Sequence, residues 1–310
     1  MKTELIECVV NVSEGRDPVV LQDLSRAASA CSGCYLLDLH SDADHHRSVF
    51  TLLGDRRTIV DGAVSLAGRA IELIDLFNHQ GVHPRIGAVD VVPFVPLEGT
   101  TTSETVELAR RFGSIVVEEL QVPVYFYGDA ALSEDRRELS DIRRGGFERL
   151  RERVVADEEW RPDLGSPRLH PTAGAVAVGV RPILIALNVE LEPPADLAAA
   201  QSIAARIRSR NGGLPAVKAL GLALPARGLV QVSMNLTDYH LTPPFRAVEA
   251  IRREGARLGC RVGESELVGL IPEAALSPGA LQIGLRDFSS SQILENRIEE
   301  VTGRRPQWSR

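Results

Sequence analysis

A motif that occurs twice limits this chain more than any other feature: a strand closing on asparagine, a hydroxyl residue and an acid, then a helix opened by proline. In the first half it reads VNVSEGRDP, from Val10 to Pro18, and in the second MNLTDYHLTPP, from Met234 to Pro244. A second landmark follows each, GAVDVVPFVP from Gly87 and GESELVGLIP from Gly263. A repeated strand, turn and helix order predicts two related α/β units. The chain between landmarks is longer in the first half, so the units are unequal in size. The alternative is coincidence among β-rich segments.

Hydrophobic periodicity supplies the remaining elements. Strands are expected at 7–15, 34–38 and 48–53, with a helix opened by Pro18 and running to about Ala30. Val60, Ala63, Val64, Ala67, Ile71 and Ile74 share one helical face, predicting a helix over 59–77. Ser103 is the expected N-cap of a helix reaching Leu120, with Glu104 in its first turn. A strand over 122–128 precedes a polar, arginine-rich stretch, 132–163, read as helix ended by Pro162. Beyond it come a strand over 182–190, a linker at Pro193-Pro194, helices over 195–209 and 244–258, strands over 229–236 and 266–271, and a tail helix over 290–301.

Composition excludes several classes. The 310 residues carry 35 Lys and Arg against 42 Asp and Glu, a net charge of −7, so no basic face for nucleic acid is indicated. An anionic ligand would need a local arginine cluster. The N-terminus has acids where a signal core would lie, and the apolar run over 173–191 is broken by Arg181, so neither a signal peptide nor a membrane span is read. Cys8, Cys31, Cys34 and Cys260 include a single C-x-x-C with no second pair, which supports zinc only weakly and suits reduced thiols of the cytoplasm.

The stretch HQGVHPRIGAVDVVPFVP, from His79, joins a polar turn to a β-branched strand. Pro84 pushes the backbone of His83 toward extended geometry, holding the imidazole on a stiff turn. With an ordinary pKa near neutrality such a group is suited to proton transfer. His79 and His83, with Asp42, Asp44, His45 and His46 nearby in sequence, also open a metal-dependent hydrolase reading. Gly81 and Pro84 argue against the helix face that a four-residue histidine spacing best serves. The cysteines lack a neighbouring histidine, and no glycine-rich phosphate loop follows a strand. Asn11, Asp38, Asp42, Arg47, His83, Arg85 and Asp90 remain as polar residues near strand ends. With them stands the proline- and glycine-rich loop of Gly165, Ser166, Pro167, Arg168, Leu169, His170, Pro171, Thr172, Ala173 and Gly174.

At these residues the chain resembles the glutamate formimidoyltransferase family. ECVVNVSEGRD, LLD followed by HHRSVFTLLG, the GVHPRIGAVDVVPFVPL run, VPVYFYG, the 165–174 loop, LVQVSMNLTDYHLTP and ELVGLIP resemble family segments in the same order. The resemblance implies an α/β (α+β) protein of two ferredoxin-like subdomains, over 1–180 and 181–310, with mixed sheets and helices on their outer faces. It also implies a homodimer and tetrahydrofolate bound as co-substrate in a tunnel between the subdomains; that no metal is needed is expected from the turn-like setting of His79 and His83. The family's catalytic histidine falls on His83 and its folate-binding segment on 165–174. Where animal members carry an aspartate after the Leu-Leu-Asp strand this chain has His40, with Asp42 and Asp44 close by, so the acid that assists His83 is left open. His40, Asp42, Arg47 and Arg85 are candidate substrate contacts, Arg168 a further carboxylate contact. The implied reaction moves a formimidoyl group from N-formimidoyl-L-glutamate to N5 of tetrahydrofolate. Alternatives are a relative using N-formylglutamate or 5-formyltetrahydrofolate, a metal-dependent hydrolase, and a folate-binding protein without turnover. Ring closure of the product would fall to a separate cyclodeaminase, which is fused to animal members.

Overall fold

The structure, a computed structural model, describes residues 4–276 and 283–307. The chain divides into two compact units, one running to Arg181 and rejoined at Pro306, the other Pro182–Arg305. None of the described helices is long and apolar enough to cross a membrane.

The first unit begins β1 (Ile6–Val12), α1 (Pro18–Ala28), β2 (Tyr35–Asp42), β3 (Arg47–Gly54), α2 (Thr58–Leu73) and β4 (Val89–Pro96), the βαββαβ order of a ferredoxin-like fold. It continues with α3 (Thr102–Leu120), β5 (Val124–Gly128), the short α4 (Leu139–Ile142), α5 (Gly146–Ala156) and β6 (Val176–Val180). The sheet runs β2-β3-β1-β4-β6-β5; β1 is antiparallel to β3 and β4, and β6 is parallel to β4 and β5. Asp17 caps α1 through the amides of Val19 and Val20, with Pro18 in the first helical position. The cap of α3 is Thr101 and not Ser103: its side chain takes the Glu104 amide while the Glu104 carboxylate returns to Thr101.

Strand alternation gives this sheet two unlike faces. Cys8, Val10, Val12, Phe50, Leu52, Val92 and Phe94 point into an apolar core with residues of α1, α2 and α3, and Phe94 meets Phe112 edge-on with ring centroids 5.7 Å apart. Burying each such ring contributes roughly 1.5–3 kcal/mol. The other face is covered over β6 and β5 by Ile142, Leu150 and partly buried Trp160 and Leu169. Over β1 and β3 the same face carries polar side chains, with Glu7, Asn11 and Thr51 all buried. Buried polar groups are the informative departure in a core otherwise built of Val, Leu and Phe.

The second unit repeats the motif as β7 (Ile185–Leu191), α6 (Leu197–Ile207), β8 (Val217–Leu224), β9 (Leu229–Leu236), α7 (Pro244–Arg257) and β10 (Val262–Val268), followed by α8 (Leu294–Thr302). Its sheet, β10-β7-β9-β8, is antiparallel throughout and packs one face on α6 and α7 around Ile203, Val248 and Ile251.

The two related units are present, but the landmarks that announced them are out of step. VNVSEGRDP is the first strand of its motif and MNLTDYHLTPP the third, so the longer first interval is half a motif and not an insertion. Pro193-Pro194 is a turn from β7 into α6 inside the second unit, not a linker. Strands β6 and β8 were not expected. The 132–163 stretch is broken into α4, α5 and single turns, with the break at Arg143 to Gly145.

Candidate active site

The ends of β1, β3 and β4 nearest Val12, Arg47 and Val89 share one rim of the first sheet, because β1 is antiparallel to both neighbours. Two loops meet there. One is the tight turn between β2 and β3, which carries Asp44, His45 and His46; the other runs from His79 to Ile86 between α2 and β4. Val82 donates its amide to the Asp44 carbonyl at 3.2 Å, and Nε2 of His79 donates to the His46 carbonyl at 2.7 Å. The imidazoles of His46 and His79 stack with centroids 4.3 Å apart. Gly81 is required at the crossing, since a Cβ there would run into the His45 carbonyl. Burial holds His79 down at about 4, so it is a neutral structural ring at physiological pH.

These contacts fix the His83 turn, which is not helical, as the glycine and proline around it require. Nδ1 of His83 lies 3.0 Å from the Pro84 carbonyl. A carbonyl only accepts, so in the neutral ring Nδ1 carries the hydrogen and Nε2 presents a lone pair. The Nη1 of Arg47, first residue of β3, donates to that Nε2 at 3.2 Å. Arg47 is held in turn by the Asn11 side-chain oxygen, and Asn11 by the Val9 carbonyl at 2.8 Å. Across the site Arg143, at the end of α4, pairs with Asp90, which is 1 % exposed and accepts the Ile86 amide at 2.8 Å. Burial, then the guanidinium groups of Arg47 and Arg143, then His45 push His83 well below the ordinary imidazole range. The titration near neutrality expected from sequence is therefore displaced downward. Burial and the facing Arg143 likewise lower Arg47 to about 10.

The other candidates divide. Asp42 caps the β2–β3 turn through the His45 amide at 2.7 Å, and His40 lies on β2 opposite Val49. Arg85 has its terminal nitrogens on Glu148 of α5 and on the Leu76 and His79 carbonyls, so it ties loop to helix. In the 165–174 loop the second half is structural. Thr172 and Ala173 accept from Leu76 and Ala88 at 3.0 and 2.9 Å, and Gly174 has a positive φ of 71° with no room for a Cβ beside the Ile86 carbonyl. Those contacts lay the loop against the chain on both sides of His83, at Leu76 before it and at Ile86 and Ala88 after it. Gly165, Ser166, Pro167 and Arg168 are exposed. Arg143 was absent from the sequence-derived candidates; its only signal was membership of an arginine-rich stretch that reads as a solvated helix.

A half-buried imidazole whose basic Nε2 faces two guanidinium groups, one of them donating to it, is equipped to move a proton between substrate atoms and to hold an anion once that donor is drawn aside. Comparison with known proteins defines the setting. Residues 5–181 match the model of the formiminotransferase domain's N-terminal subdomain, and residues 186–290 match the formiminotransferase domain. The chain belongs to the formiminotransferase family. Its family relatives include a glutamate formimidoyltransferase of Streptococcus pyogenes serotype M1, 41 % identical over 297 residues that span 95 % of this chain and 99 % of that protein. The same-named family member from Thermoplasma acidophilum is 43 % identical over 300 residues, 96 % and 98 % of the two chains. The family's formimidoyltransferase-cyclodeaminase from Sus scrofa is 40 % identical over 282 residues, 90 % of this chain and 52 % of that one.

Proposed function

We propose that the chain transfers the formimidoyl group of N-formimidoyl-L-glutamate to N5 of tetrahydrofolate, giving 5-formimidoyltetrahydrofolate and L-glutamate. Full-length similarity to glutamate formimidoyltransferases supports the reaction, and the observation that carries the mechanism is the lone pair held on Nε2 of His83. N5 attacks the formimidoyl carbon and a C–N bond forms. Nε2 takes the proton from N5, then delivers it to the glutamate nitrogen as the old C–N bond breaks, so the protons balance without solvent. General acid–base work of this kind contributes about 10²–10⁴-fold, and orientation of two bound substrates supplies more. The exposed end of the 165–174 loop is assigned to the folate.

Incubation with tetrahydrofolate and N-formimidoyl-L-glutamate should release glutamate in step with loss of the donor, and thorough chelation should leave the rate unchanged. Turnover of N-formylglutamate alone would assign the other donor. Activity lost on chelation and restored by zinc or manganese would favour the hydrolase.

A further inference from the structure

Arg47, Arg85 and Arg143 each carry a buried Nε with no hydrogen-bond partner. The terminal nitrogens of Arg85 are occupied by Glu148 and two carbonyls. Arg47 and Arg143 are different. Each is held from behind by one acceptor, Asn11 or Asp90, and each bears on the other and on His83. The charged or ionisable groups that face Arg47 are His83, Arg143, Asp90, Tyr127 and Asp42. Two neighbouring, largely buried guanidinium groups repel, and orphaned Nε–H donors leave a desolvation cost that only a further acceptor removes. A planar carboxylate is the acceptor that guanidinium groups pair with best, and its charge offsets their repulsion. The reaction adds a demand of its own. The nitrogen that must take the proton, Nε2 of His83, is covered at 3.2 Å by Arg47, so turnover needs something that draws Arg47 aside.

We propose that Arg143 and Arg47 together seat the α-carboxylate of the one-carbon donor, and that this carboxylate draws Arg47 off Nε2 and uncovers the base. The inference rests on the transfer reaction proposed above and names the part of the donor that the site reads. The α-carboxylate is one carbon from the nitrogen that must receive the proton, so seating it beside His83 also places the leaving nitrogen within reach.

The test compares N-formimidoyl-L-glutamate with its α-carboxamide, at saturating tetrahydrofolate, in the parent and in Arg143→Gln. A charge-assisted pair is worth roughly 1.5–3 kcal/mol, so the parent should lose about 10–10²-fold in kcat/KM on the amide. Arg143→Gln should lose a similar factor on the dicarboxylate and then tell the two donors apart by less than about threefold, with KM for tetrahydrofolate unchanged. If loss of one buried charge prevents folding, the double variant Asp90→Asn, Arg143→Gln removes both and serves in its place. An Arg143→Gln enzyme that still separates the donors as the parent does overturns the seat, as does a variant whose loss lies in the KM for tetrahydrofolate. A parent that transfers from both donors equally well overturns the seat alone. A parent inactive with both overturns the transfer reading and the seat with it.

Discussion

His83 is held by its own neighbour: the Pro84 carbonyl takes Nδ1–H, so the ring cannot turn over without giving up that bond. In the proposed transfer the base stays still and the tetrahedral intermediate brings its two nitrogens to Nε2 in turn. His83→Ala should lower kcat by about 10²–10⁴-fold with little change in tetrahydrofolate affinity, measured by steady-state kinetics and direct titration. A variant that melts like the parent and keeps a tenth of its kcat would remove His83 from the chemistry. The pH profile carries the sign of its environment. Only the neutral ring is a base, and burial with two facing cations lowers its pKa, so kcat/KM should stay level from pH 7 to below the ordinary imidazole range near 6.5. An acid limb at pH 7 would contradict this. Glu7 on β1 behaves oppositely, since burial raises its carboxyl from 4.5 to about 7 against the pull of Arg181. The folded state then holds a proton that the unfolded chain releases above 4.5, so stability contributed below that pH is lost as pH rises to about 7, by up to ~3 kcal/mol. Glu7→Gln should flatten denaturation midpoints between pH 5 and 8; an unchanged slope would refute the assignment.

Elements decide which substitutions report on a site and which merely break it. Gly174→Val forces a β-branched residue into a left-handed backbone against the Ile86 carbonyl, so it should depress Tm or solubility as a whole and says nothing selective about folate. Arg168→Glu is the better probe. Its side chain is exposed, so melting should hold within a degree or two while KM for tetrahydrofolate rises about tenfold if the loop meets the folate tail. An unchanged KM would take that end of the loop out of the site. How far sequence reaches is visible in the same elements. Strand β9 was read to its ends because its β-branched and apolar residues alternate between turn residues, and the His83 turn was legible because Gly81 and Pro84 constrain backbone directly. Strand β8 was missed because VKALGLAL has little β-branching and a central glycine, and its place is set by pairing with β9. Arg143 was invisible for a related reason: only the turn after α4 aims it at Asp90, and a turn within a run of arginines leaves no periodic mark.

In the whole molecule each unit contains every strand of its own sheet and its own apolar core. A fragment comprising Pro182–Arg305 should therefore fold alone, giving a cooperative melt and a mixed helix and strand circular dichroism spectrum; a non-cooperative melt would show that its core needs the rest of the chain. The first unit assembles its chemistry from distant segments. Arg47 and His83 are 36 residues apart, and Arg143 lies 53 residues beyond Asp90. Contacts of that range close late, because the loop entropy must be met before they stabilise anything. The site is thus a product of the finished sheet. During refolding, catalysis should return no earlier than the phase that completes the first unit's sheet, and a chain in which that sheet is unfinished should not turn over substrate.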